Sequence, residues 1–144
     1  MQYSLRKASD ADRALAELLH ELCYKDVVIR QFGEWDSALQ RQFFERKWQP
    51  EQYTVIVCEG ESIGVLAAHH EADHLFLSEI LIHPSQQNQG IGSAILTELL
   101  DRARTQRVPL RLQVLQSNRA SVLYERLGFI CYGRSDTHLL FEKS

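Results

Sequence analysis

At 144 residues the chain has the length of one domain that can bury a sizeable core. Its 44% hydrophobic and 24% charged residues exclude a disordered chain, and a net charge of −3 provides no broad basic face for general nucleic-acid binding. Seven glycines and three prolines exclude collagen-like and low-complexity architectures.

Tyr3, Leu5 and Lys7 alternate with Ser4 and Arg6, which predicts a short first strand. Ser9 is an N-cap signal, with Asp10 and Asp12 in the first turn. Ala11, Leu15, Leu18, Leu19 and Leu22 follow at helical spacing, so a helix is expected over roughly 10–24. Val27 to Trp35 mixes apolar and charged residues without a period that assigns it. A second helix is expected from Asp36, with Leu39, Phe43 and Phe44 on its apolar side and Pro50 just beyond its end. The runs Tyr53–Cys58, Ile63–His70 and Phe76–Ile82 are β-rich and joined by the turns Glu59–Glu61 and Glu71–Asp73, an antiparallel meander. Ile91, Ala94, Ile95 and Leu99 mark a helix to about Gln106, which Pro109 ends. A strand at Leu110–Val114 and a short helix over Ala120–Leu127, stopped by Gly128, come next. Phe129–Tyr132 and His138–Phe141 close the chain as two strands. The expected fold class is α/β (α+β): a mixed, mostly antiparallel sheet of about seven strands with helices on both faces, in one domain over residues 1–144.

Cys23, Cys58 and Cys131 are odd in number and match no metal-ligand spacing, which favours free thiols in a reducing compartment. Met1–Lys7 carries no apolar leader core, and no run approaches the ~20 apolar residues of a membrane span. A cytoplasmic protein with no membrane and no nucleic-acid partner is therefore expected. His69, His70 and His74 lack ligand spacing to a fourth partner, so no metal site is expected.

The residues with the strongest chemical signal are Gln87-Asn88-Gln89-Gly90-Ile91-Gly92, a glycine turn between an apolar strand and an amphipathic helix. The first turn of a helix offers unpaired N–H groups and the positive end of the helix dipole, and glycine lets a large anion approach. A phosphate group is the expected occupant. The turn is not a P-loop, because Gly92 is followed by Ser93-Ala94 rather than Lys-Ser/Thr. It is not a dinucleotide fingerprint either, because Ile95 stands where a third glycine belongs and the turn follows an antiparallel meander.

Downstream lies Asn118-Arg119-Ala120-Ser121-Val122-Leu123-Tyr124-Glu125-Arg126-Leu127-Gly128-Phe129. Together with Gln87-x-x-Gly90-x-Gly92, this resembles the GCN5-related N-acetyltransferase (GNAT) superfamily, whose members carry a Gln/Arg-x-x-Gly-x-Gly/Ala turn and, further on, Asn and Tyr-Glu-x-Leu-Gly-Phe. The element order agrees with that fold along essentially the whole chain. Asn118 stands one residue closer to Tyr124 than in many relatives.

The resemblance implies acetyl-CoA as co-substrate and transfer of its acetyl group to an amine of a small molecule or peptide. Main-chain N–H groups of Asn88, Gln89, Gly90, Ile91, Gly92 and Ser93 would hold the pyrophosphate, in the motif that Gln87 opens. Ile80, Leu81 and Ile82 would pair with the pantetheine arm as an added strand does, and a strand N–H at Leu81 or Ile82 would polarise the carbonyl. Asn118 would hydrogen-bond the cofactor, and it can also act as a helix cap. Tyr124 would be the general acid. Glu79, on the strand leading into the turn, would be the base, directly or through water; the alternative is that it faces solvent. Arg30 and Trp35 belong to a dense aromatic segment that supplies acceptor contacts in the family, and they are the candidate substrate-binding residues. The four arginines between Arg102 and Arg111 are either a solvated face or a site for the adenosine 3′-phosphate. Other readings are a different acyl donor, a hydroxyl acceptor, or a CoA-binding sensor without turnover. The last strands are a candidate homodimer surface.

Overall fold

The computed structural model describes residues 2–144; Met1, the first residue of the expected domain, lies outside the described residues. The strands are β1 (Ser4–Lys7), β2 (Thr54–Cys58), β3 (Glu61–His70), β4 (Leu75–Ile82), β5 (Leu110–Leu115), β6 (Ile130–Arg134) and β7 (His138–Lys143). They form one sheet in the order β1-β2-β3-β4-β5-β7-β6. Neighbours are antiparallel except β4 and β5, which are parallel. The helices are α1 (Arg13–Phe32), α2 (Ser37–Lys47), α3 (Ile91–Thr105) and α4 (Ala120–Arg126). Of the last two strands only β6 is an edge, with Ile130 and Tyr132 exposed; β7 lies inside the sheet and its Phe141 is fully buried.

Both faces of the sheet are covered, which is why its central strands read as nearly continuous apolar runs. Ile56, Leu66 and Leu112 pack with Ile91, Ile95 and Leu99 on the α3 and α4 face. Val55, Val65 and Leu81 pack with Ala16, Leu19, Phe44 and Trp48 on the α1 and α2 face.

Helix α1 ends at Phe32, well beyond the expected end near residue 24. Residues Asp10–Asp12 form a 3-10 turn before it, in which the Ser9 N–H donates to Asp12 Oδ2 at 2.9 Å. Val27 and Val28 continue the buried face begun by Ala16, Leu19 and His20. The helix stops at Gly33, which takes φ = +91° and donates its N–H to Ile29 O at 2.8 Å. Leu18 and Leu22, which marked the expected helix, are exposed, and beyond residue 24 the exposed Ile29 and Phe32 mix with the buried Val27 and Val28 and obscure the period.

An irregularity in β4 positions the site. Ala67 is opposite Glu79 and Ala68 is opposite Leu77, so Ser78 is one residue extra. Residues 77, 79 and 81 would share a face in a regular strand. Here Leu77 joins the α3 core, while Leu81 joins the α1 core and Glu79 is buried facing Tyr53 of that same core. Beyond the bulge β4 also leaves β5: the two strands pair only at Leu75–Leu110, Phe76–Arg111 and Leu77–Leu112. Past those pairs the strands diverge and open a wedge in the middle of the sheet.

Candidate active site

A cavity of about 1010 Å³ occupies the wedge. Its lining unites residues that are far apart in sequence: Glu79, Ile80, Leu81 and Ile82 of β4; Gln87, Asn88, Gly90, Ile91, Gly92 and Ser93 of the turn; and Asn118 and Tyr124. Gln89 belongs to the turn but does not line the cavity. Arg30 and Trp35 lie elsewhere. Arg30 donates from Nε and Nη2 to Ser117 O at 3.2 and 3.1 Å, and Trp35 lines a separate hollow of about 350 Å³ between α1 and α2. Gln31 Nε2 also donates to Thr137 O, and Gln31 Oε1 accepts from the Ser117 N–H. The end of α1 thus ties down the loops that precede α4 and β7. Arg111 is engaged by Glu142, with Nε donating to Oε2 at 2.8 Å.

At one end of the cavity stands the turn. Its first intrahelical bond runs from the Ala94 N–H to Gly90 O at 3.0 Å, and among the described residues no acceptor meets the N–H groups of Asn88 through Ser93. Gly90 is held at φ = +85°, a conformation that side chains disfavour, and Asn88 is also left-handed at +63°. Gln87 Nε2 donates to Ile82 O at 2.8 Å and so ties the turn to the end of β4. Six unpaired donors at the start of a 15-residue helix make a cradle for a large anion.

Along the side of the cavity runs the free edge of β4. The His83 N–H donates to Ile63 O at 2.8 Å. Since hydrogen-bonded and open pairs alternate in an antiparallel ladder, the Val65–Leu81 pair exchanges its bonds within the sheet. The main-chain groups of Ile80 and Ile82 then turn toward the wedge. Ile82 O fits this, since it accepts from Gln87 and from Cys23 Sγ at 3.3 Å. The Leu81 main chain faces β3, and a Cβ on Gly64 would stand 2.5 Å from Leu81 O. Gly64 is therefore required by this close approach.

At the other end lie the titratable side chains. Glu79 has a 4% exposed side chain. Tyr53 Oη donates to Glu79 Oε2 at 2.5 Å, while the buried Oε1 has no hydrogen-bond partner. Lys47 Nζ stands 3.5 Å from Oε1 and 6.0 Å from the Tyr24 ring centre. Tyr24, Tyr53 and Cys23 are held protonated chiefly by burial, with the Glu79 carboxylate adding to the effect, and the thiol is pushed up to about 11. His138, at the start of β7, is lowered by burial and then by the Lys47 cation, both of which favour its neutral ring. Tyr124 is packed edge-on against Phe129 at 5.7 Å and tilted against Phe141 at 6.1 Å. Burial alone pushes its phenol up to about 12. Asn118 Oδ1 accepts from the Ala120 N–H at 2.9 Å and starts α4.

Sequence reading did not single out Tyr53, Tyr24, His138 or Cys23. Each sits in an ordinary strand or helix pattern, and only the burial of Glu79 makes them significant. Lys47 was legible only as part of the dense segment Arg30–Trp48. Phe44 and Trp48 of that segment prove to be core, and Phe32 and Phe43 are exposed.

Among the described residues, no helix is long and apolar enough to cross a membrane. The chain resembles solved acetyltransferases over its full length. PaiA N-acetyltransferase from Thermoplasma acidophilum, solved in complex with coenzyme A, is 17% identical with a TM-score of 0.76, over 100% of this chain and 99% of that one. The ribosomal-protein-S18-alanine N-acetyltransferase from Escherichia coli is 22% identical with a TM-score of 0.66, over 98% of this chain and 92% of that one. Ard1 from Thermoplasma volcanium is 18% identical with a TM-score of 0.63, over 99% and 97%. The comparison with curated proteins finds no match. The sequence pattern of the Acetyltransferase (GNAT) family matches residues 15–129, which include β4, the turn and Tyr124, and the chain belongs to this family.

Proposed function

We propose that the protein moves the acetyl group of acetyl-CoA to the amine of a small molecule or peptide, by direct transfer while both substrates are bound. The observation that carries this reading is one continuous cleft. It joins an anion cradle, an open strand edge, a buried carboxylate and a protonated phenol. When bound, acetyl-CoA supplies an activated thioester.

The N–H groups of Asn88 and of Gly90 through Ser93 hold the pyrophosphate, with Gln87 bracing the turn and Gln89 completing it outside the cavity. Ile80 and Ile82 offer main-chain groups to the amides of the pantetheine arm. Leu81 fixes their spacing from the opposite face of the strand. Of the strand donors considered for the carbonyl, Leu81 is committed to β3, which leaves the N–H of Ile82, joined by that of Ile80. Glu79 Oε1, buried and lacking a donor, accepts the proton of the incoming amine. Tyr53 holds the other carboxylate oxygen and fixes the aim of the first. Tyr124 keeps its proton because burial disfavours the phenolate, and it delivers that proton to the departing sulfur. Asn118 positions the start of α4 through its bond from the Ala120 N–H and presents its amide NH₂ to the cleft.

The test is a thiol-release assay over a panel of amines, with binding of acetyl-CoA measured separately. Turnover of some amines is expected. In Tyr124→Phe turnover should drop while acetyl-CoA affinity is kept. Saturable binding with no acetylation of any amine would identify a sensor instead, and full activity in Tyr124→Phe would remove the acid assignment.

A further inference from the structure

Lys47 is the last residue of α2, and its position is unusual among the four lysines of the chain. It alone lines the cleft. Lys25 pairs with Glu21 at 3.9 Å, Lys143 Nζ donates to Leu127 O at 2.6 Å, and Lys7 ends β1 at the other side of the sheet. The root of Lys47 is fixed, since the neighbouring Trp48 is buried and stacks on Phe44 with ring centres 6.0 Å apart. Its side chain is 46% exposed, so the four-carbon stem has room to turn. Its amine nitrogen lies 3.5 Å from Glu79 Oε1, the one buried side-chain polar atom among the described residues that has no hydrogen-bond partner.

That is the place an acceptor amine must occupy if Glu79 is to take its proton. We propose that Lys47 is itself an acceptor, and that the protein acetylates its own Lys47 within the cleft. This inference rests on the acetyl-transfer reading given above. Glu79 Oε1 removes a proton from the Lys47 ammonium, and Nζ attacks the carbonyl carbon of the acetyl thioester. The new C–N bond forms as the C–S bond breaks, the leaving sulfur takes the Tyr124 proton, and the second proton that Nζ sheds restores the Tyr124 phenol, while Glu79 releases the first to solvent. The products are Nε-acetyl-Lys47 and free CoA, and no oxidant or reductant is needed. The product amide carries no charge, so the Lys47–Glu79 ion pair is lost, and the longer side chain stands where an external amine would enter. Self-acetylation therefore works as a single-turnover brake on the site.

The test uses the full chain with acetyl-CoA and no added amine, followed over time by intact mass and peptide mapping. One acetyl per chain should accumulate on Lys47, on the order of a hundredfold faster than on Lys7, Lys25 or Lys143. Glu79→Gln should bring Lys47 down to the rate of the other three. The comparison among lysines in the unaltered chain does not depend on whether that variant folds. Lys47 that stays unmodified, or is modified no faster than the other lysines, overturns the proposal. Lys47 acetylation unchanged in folded Glu79→Gln also overturns it. If added amines are acetylated while Lys47 is not, self-transfer fails and the acetyltransferase reading stands. If neither is acetylated, both fail.

Discussion

At the α3 end of the cleft the polar groups are main-chain N–H groups of one short stretch, Asn88 and Gly90 through Ser93. At the opposite end they are side chains drawn from separate elements: Glu79 from β4, Tyr53 from the approach to β2, Lys47 from α2, Tyr24 from α1 and His138 from β7. The cradle depends on backbone conformation, so most side chains within it are replaceable and Gly90 is the sensitive position. The carboxylate end depends on the identity of each side chain and on its exclusion from water. In the proposed reaction one end holds the cofactor, and the other carries the proton transfers. Substitutions in the two ends should therefore separate binding from turnover.

The largest effect is expected at the carboxylate. Glu79→Gln should lower acetyl transfer on the order of 10²–10⁴-fold, with acetyl-CoA affinity by calorimetry unchanged. A matching loss of affinity would erase the division between the two ends. Next is Tyr53→Phe, which removes the donor to Glu79 Oε2 and leaves both carboxylate oxygens without a hydrogen bond. A loss of roughly 1–3 kcal/mol in folding stability is expected by thermal or urea unfolding. No such loss would mean that the bond is not maintained in solution. At the cradle, Gly90→Val puts a β-branched residue at φ = +85°. The strain of about 1–2 kcal/mol should weaken acetyl-CoA binding roughly tenfold and leave kcat at saturation close to its original value. A fall in kcat with KM unchanged would contradict the assignment of this turn to binding.

The smallest effect is expected outside the cleft. Arg6 binds Asp12 through both carboxylate oxygens at 2.8 and 3.0 Å and holds that carboxyl below its usual 3.8. A carboxyl lowered in the folded state contributes stability that is complete above its unfolded pKa and is lost as pH falls through the folded value. Acid titration of stability should thus show a loss below about pH 4 that Asp12→Asn lacks, with acetyl transfer at neutral pH the same in both. If neutral-pH activity also changes, the first turn of the chain is coupled to the cleft.

The order of strands and helices was legible because local patterns carry it: alternation in β1 and β5, the apolar period of α3, and the glycine that ends α4. The glycine turn was legible for the same reason. A run of unpaired N–H groups follows from a glycine turn entering a helix, whatever packs around it. The full length of α1 was not legible, because its exposed apolar residues hid the period of the buried ones. Arg30 and Trp35 stand outside the cleft, because α1 carries Arg30 to the Ser117 loop and the turn after α1 sets Trp35 in the hollow beside His20.

By itself the sequence determined the fold class, the family motifs and the main-chain cradle, since these depend on residues within a few positions of one another. Only the tertiary structure decided what Glu79 faces. Nothing in Leu77-Ser78-Glu79 announces a bulge; it is defined by register against Ala67 and Ala68 across the sheet. That single extra residue turns the carboxylate from the α3 core toward Tyr53, 26 positions away in sequence, and toward Lys47. The pairing of a buried charge is set by packing and strand register, which no local period encodes.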